Sequence, residues 1–79
     1  MDSIQRSIEA TRIRSQREIR NLTQAAIADY LQTAQTVYSR YELDKHPLPL
    51  NHLRELCKLY NVSSDYILGL IDEPRQLYD

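Results

Sequence analysis

The chain has 79 residues, 42% hydrophobic and 27% charged, with one Gly, three Pro and a single Cys. That length holds one domain at most, and at this size folding buries only about 60% of the unfolded chain's surface, which disfavours a deep enclosed substrate pocket. Ten Lys and Arg against eleven Asp and Glu leave a formal charge of −1, which taken whole speaks against nucleic acid as a partner.

Cys57 has no second Cys to pair with, so a reducing, cytoplasmic compartment is expected and the thiol reads as a small core residue. No apolar run approaches the ~20 residues of a membrane span, and the first ten residues, MDSIQRSIEA, lack the apolar block of a signal peptide. No membrane partner is expected. The charge is unevenly spread. Eight of the ten cations are Arg, four of them between Thr11 and Arg20 with only Glu18 in opposition, and the last eight residues, DEPRQLYD, carry three acids against one Arg. Whole-chain charge is therefore a poor guide to any one face. Composition leaves the Arg-rich stretch equally readable as a solvated helix face with internal ion pairs.

Apolar residues recur at spacings of three and four, which predicts an all-α chain of short helices. The first covers Thr11 to Arg20, with Ile4 and Ile8 at a spacing that can extend it backwards. Asn21, which tolerates a left-handed backbone, is its stop. Thr23 is the N-cap of a second helix with Ile27, Tyr30 and Leu31 on one face, ending near Leu31. The periodicity resumes in a new phase at Ala34, Val37, Tyr38 and Tyr41, a third helix whose opposite side carries Gln35, Thr36, Ser39, Arg40 and Leu43.

Residues 43–49 form a loop, with Pro49 suited to the first turn of a fourth helix. There Leu50, Leu53, Leu56, Cys57 and Tyr60 make one apolar stripe, and His52 faces outward. Asn61 is the next stop and Ser63 the next cap. A fifth helix runs from Ser64 to Leu70 with Asp65 in its first turn, where a carboxylate suits the helix dipole. The expected fold is thus a compact five-helix bundle. Residues 1–10 form an N-terminal extension able to continue the first helix, residues 11–71 the domain, and residues 72–79 an acidic polar tail. The second and third helices, tightly linked, make a helix-turn-helix.

The residues that define this pair are Leu22-Thr23-Gln24, Ile27-Ala28, Leu31 and Ser39-Arg40-Tyr41-Glu42. They resemble the helix-turn-helix of the Cro and phage-repressor type, the XRE family. Downstream, Pro49-Leu50, Leu53, Leu56-Cys57 and the run from Tyr60 to Leu70 are similar to the last two helices of many small regulators in that family. The resemblance spans about Thr11 to Leu70 and implies a lambda-repressor-like DNA-binding fold, bacterial or phage-encoded and nucleoid-associated. Three positions depart from the family pattern. The turn has Gln32 where relatives usually have Gly, so Gln32 must accept a positive φ at a cost of about 1 kcal/mol, or the turn is shaped differently. Ala34 stands where relatives commonly carry a capping Ser or Thr, so Thr33 caps one residue early or the cap is absent. After Glu42 the usual Asn-Gly is Leu43-Asp44, and the basic run that follows is reduced to Lys45 and His46.

A helix enters the major groove, about 12 Å wide, when its outward face carries short or hydrogen-bonding side chains. Gln35, Thr36, Ser39 and Arg40 are the candidate base readers. Glutamine matches N6 and N7 of adenine, arginine matches O6 and N7 of guanine, and the threonine methyl suits thymine. Composition alone also allows these four to be an ordinary solvated face. Phosphate contacts are expected at the N-terminus of the second helix from Thr23 and Gln24, Gln24 being the family's phosphate-contacting glutamine by resemblance. Lys45, His46, Asn51 and Arg14 are further candidates. The resemblance implies that Arg17 and Glu42 pair across the first and third helices as structure.

No enzyme is expected. His46 and His52 lack a metal-ligand pattern, one Gly cannot build a phosphate loop, and Cys57 lies on an apolar stripe. No cofactor, metal or small-molecule ligand is evident. The expected function is a sequence-specific double-stranded DNA-binding regulator, a repressor acting as a homodimer on a palindromic operator. The alternative is a helical protein-interaction module of antitoxin or anti-regulator kind. Ile4, Ile8, Leu77 and Tyr78 lack an evident place in a five-helix core and are candidates to pack on a partner subunit.

Overall fold

A computed structural model describes residues 7–78 and shows five helices in chain order. The first, α1 (Ile8–Glu18), opens at Ser7, whose hydroxyl accepts the N–H of Ala10. It starts three residues before Thr11 because that cap is available, and it ends at Glu18 rather than Arg20. Ile4 lies outside the described residues. Asn21 turns the chain with φ 57°, the left-handed region that asparagine tolerates.

Thr23 caps α2 (Gln24–Leu31) by accepting the N–H of Ala26. The helix buries Ile27, Ala28 and Leu31, whereas Tyr30, expected on that face, is 42% exposed. At 100° per residue Tyr30 lies about 60° from Ile27 on the side away from Ala28 and Leu31, so Ala28 completes the stripe and the Tyr30 hydroxyl reaches the carbonyl of Glu55 at the surface. Gln32 takes φ 58° and ψ 45°. The turn thus keeps its left-handed geometry without glycine.

Ala34 precedes α3 (Gln35–Glu42) as an exposed, extended residue that makes no side-chain cap, and Thr33 supplies none. The apolar stripe of α3 therefore begins one turn later than the pattern suggests, with Tyr38 and Tyr41 buried and Val37 packed at the edge. Pro49 is the N-cap of α4 (Leu50–Tyr60), outside the first turn, with φ −64° and ψ 148°. Leu53, Leu56, Cys57 and Tyr60 are buried, but Leu50 is 80% exposed. It stands at the margin of the stripe in the first turn, before the helix reaches the core. His52, expected to face outward, is half-buried and its Nδ1 lies 3.1 Å from the Tyr41 hydroxyl.

Asn61 stops α4 with φ 53°, and Ser63 caps α5 (Ser64–Ile67) by accepting the N–H of Tyr66. This last helix is shorter than the expected span to Leu70 because Gly69 turns with φ 83°. A side chain at Gly69 would place its Cβ 2.7 Å from Cγ2 of Ile8, so the first residue of α1 packs directly against this turn. Ile13, Ile27, Tyr38, Leu56 and Ile67 form the fully enclosed centre. The chain end is docked. Asn61 Oδ1 accepts the N–H groups of Leu77 and Tyr78, and the Ser63 N–H donates to the carbonyl of Arg75.

Candidate nucleic-acid interface

The α3 helix packs on both α2 and α1, so the side turned away from Tyr38 and Tyr41 is the one left to solvent. Gln35, Thr36 and Arg40 are exposed there and Ser39 is half-buried. These four, with Gln24 from the start of α2 and Leu43 and Lys45 from the residues after α3, line one open depression. The side chains that close it thus come from both helices of the pair and from the loop beyond.

A buried network beneath that surface sets the position of α3. Arg17 on α1 donates to both oxygens of Glu42, Nε to Oε2 at 2.7 Å and Nη2 to Oε1 at 3.0 Å. Its Nη1 donates to the carbonyl of Leu22 in the α1–α2 link. The same carboxylate accepts the Tyr38 hydroxyl at 2.6 Å and the Gln24 amide at 3.0 Å. Glu42 is 2% exposed. Burial alone would raise its pKa, but the hydrogen bonds from Arg17, Tyr38 and Gln24 outweigh that and hold it below the usual carboxylate value. The bond to Glu42 pushes Arg17 up, and burial followed by the bond to Glu42 pushes the Tyr38 hydroxyl well up. A charge pair this enclosed is tolerable only because every carboxylate lone pair in reach is used.

Of the other arginines between Thr11 and Arg20, Arg12 and Arg20 act as internal ties. Arg12 donates to the carbonyls of Tyr66 and Ile71 and lies 4.2 Å over the Tyr66 ring. Arg20 donates to Gln16 and to the carbonyl of Tyr60. Arg14 is exposed, bonds Glu18 at 3.1 Å, and lines a small hollow with Arg17, Gln24 and Leu43. Four Arg in ten residues therefore do not form a free cationic patch. Residue type and spacing gave no means of telling a guanidinium that will hold carbonyls from one that will meet solvent.

The remaining candidates are dispersed from the start of α2 to the first turn of α4. Thr23 is exposed and committed to its cap bond. His46 is exposed, its Nδ1 2.9 Å from the carbonyl of Pro47 and its ring centroid 5.8 Å from that of Tyr41. Asn51 is exposed in the first turn of α4 and borders a hollow shared with Tyr30, Gln32 and Arg54. Sequence reading missed the Tyr41 ring packed between His46 and His52, which ties the loop after α3 to the first turn of α4 through ring contacts. An aromatic residue followed by two histidines was its only signal. Among the described residues no group of three or more His, Cys, Asp or Glu could hold a metal ion, and no helix is long and apolar enough to cross a membrane.

Two short helices joined through a left-handed residue, the second presenting a polar face, define a helix-turn-helix protein. The family model described as Helix-turn-helix matches residues 13–67, and the chain belongs to this XRE-type helix-turn-helix family, whose members are non-enzymatic DNA-binding regulators. It is also 41% identical over 63 residues to a Bacillus subtilis (strain 168) protein described as "Uncharacterized HTH-type transcriptional regulator YobD". That match covers 80% of this chain and 56% of the relative, so the chain spans about half the length of the relative it matches.

Proposed function

We propose that this chain is a sequence-specific double-stranded DNA-binding domain of a transcriptional regulator that lays α3 in the major groove. The observation that carries this reading is the single depression lined by Gln24, Gln35, Thr36, Ser39, Arg40 and Lys45. Gln35, Thr36, Ser39 and Arg40 read base edges, Arg40 pairing with guanine and Gln35 with adenine. Thr23, Gln24, Lys45, His46, Asn51 and Arg14 contact phosphates and set the register. The buried Arg17–Glu42 pair holds the reading helix and does not touch DNA.

One module covers few base pairs, so the working form is a homodimer on a palindromic operator with half-sites ~34 Å apart, acting as a repressor. Exposed Ile8, Leu68 and Leu70 near the end of the bundle support a second copy. Among the described residues, Arg12, Arg17 and Arg20 are engaged internally, which favours a second reading as a protein-interaction module. Selection of bound duplexes from a random pool tests both readings. Enrichment of a half-site repeated in inverted orientation, with affinity falling steeply as salt rises, supports the DNA regulator. Weak, sequence-blind retention would overturn it in favour of the interaction module.

A further inference from the structure

We infer that Glu42 is a positioning residue for DNA backbone binding: by accepting one Nε2 hydrogen of Gln24, it turns that side-chain amide so that the second hydrogen is presented to a phosphate oxygen. The inference rests on the DNA-binding reading above and goes beyond it by assigning a buried residue to the contact.

The orientation of a glutamine amide is ordinarily ambiguous, since oxygen and nitrogen can exchange places. Here the partner removes the ambiguity. An ionised carboxylate only accepts, and Glu42 is kept ionised by its bonds to Arg17 and Tyr38. Gln24 Nε2 lies 3.0 Å from Glu42 Oε1. The flipped amide would place its carbonyl oxygen against a buried anion, with no donor between them. The nitrogen must therefore face Glu42.

Nitrogen carries two hydrogens, and one is left over. Gln24 is half-buried and borders both the hollow over the ion pair and the depression along α3, so the remaining N–H has open space to meet an anionic oxygen. A free surface glutamine would lose rotamer and flip freedom on binding a phosphate. Gln24 is oriented beforehand. The negative charge that does this does not repel DNA strongly, because Arg17 neutralises it through two bonds.

The test scans single methylphosphonates, each replacing one anionic phosphate by a neutral group, through the half-site selected by the wild-type protein. One position is expected where the substitution weakens wild-type binding on the order of tenfold, the scale of one hydrogen bond to a charged group. Gln24→Ala and Glu42→Gln should both lose that sensitivity. Tyr38→Phe removes a different bond to the same carboxylate and should keep it. A Glu42→Gln protein with the wild-type pattern, or a Gln24→Ala protein that retains it, overturns the inference. Side-chain amide spectra of the wild-type protein decide the matter if Glu42→Gln does not fold. One Gln24 proton should exchange slowly in the free protein while the other shifts on adding duplex, and two protons behaving alike overturn it. A wild-type protein that selects no duplex removes the DNA reading and the inference with it, and this shows before any variant is made.

Discussion

The guanidinium of Arg20 lies 4.7 Å over the ring of Tyr60 and donates to that residue's carbonyl at 2.8 Å. A side chain just beyond the end of α1 thus completes the C-terminal end of α4, where helix carbonyls lack partners and a positive charge is favoured. Its other bonds return to Gln16, so the tie joins the two longest helices. Arg20→Ala should lower stability by about 1 kcal/mol. Arg20→Lys should recover little of it, since an ammonium lacks the planar fork that meets both partners. Urea unfolding of the two variants checks this.

Removing Arg17 has a larger effect. Arg17→Ala leaves Glu42 as a buried carboxylate without its main donor, a loss of about 3–5 kcal/mol, enough to unfold much of a domain this small at 37 °C. Thermal melts followed by circular dichroism should show the midpoint drop far below that of Arg14→Ala, whose exposed bond to Glu18 contributes little.

Stability should fall at both pH extremes for identifiable reasons. The folded pKa of Glu42 lies below its ordinary 4.5, so its contribution is complete above about that value and disappears as pH falls through the folded pKa. Burial, with the nearby Glu42 charge, pushes the Tyr60 hydroxyl up from 10.0 to about 12. Its contribution is complete below pH 10 and is lost as pH rises towards 12. Glu42→Gln should flatten the acid limb of the stability curve and leave on the alkaline side the part that comes from burial of Tyr60, while removing the part that the Glu42 charge adds. Denaturant midpoints across the pH range measure both.

The left-handed residues give opposite expectations. Gln32→Gly should stabilise by up to ~1 kcal/mol, since φ 58° strains a residue with a Cβ. Gly69→Ala should destabilise, because both φ 83° and the contact with Ile8 oppose a methyl group. Equal midpoint shifts of the same sign would contradict this.

On DNA, Arg40→Ala should relax base preference at one position of the half-site and cost ~1–3 kcal/mol, while Lys45→Ala should weaken all sequences alike and lower the salt slope by about 1. Competition binding on the selected site and on single-base variants separates the two. An unchanged base preference without Arg40 would remove it from the reading set.

Much of the architecture was legible because short helices announce their ends. Thr23 and Ser63 as caps, and Asn21 and Asn61 as left-handed stops, follow from side-chain chemistry acting within a few residues, and all four are found in those roles. Periodicity served less well at the margins. Tyr30 and Leu50 satisfy an apolar spacing yet lie outside the core, because a stripe on one helix does not state how far the neighbouring helices extend. The exposed face of α3 was readable from angle alone, whereas the bond from Gln24 to Glu42 joins residues from different helices and had no local signal.

Only main-chain N–H groups of residues 77 and 78 are used in holding the chain end to Asn61. The attachment is therefore blind to which side chains occupy those positions, provided neither is proline, which has no N–H to donate. Leu77 and Tyr78, 42% and 57% exposed, can change to other residues that keep an N–H without losing these two bonds. A proline at either position would remove one of these two bonds and loss of the Asn61 side-chain oxygen would remove both, leaving the bond from the Ser63 N–H to the Arg75 carbonyl to hold the segment.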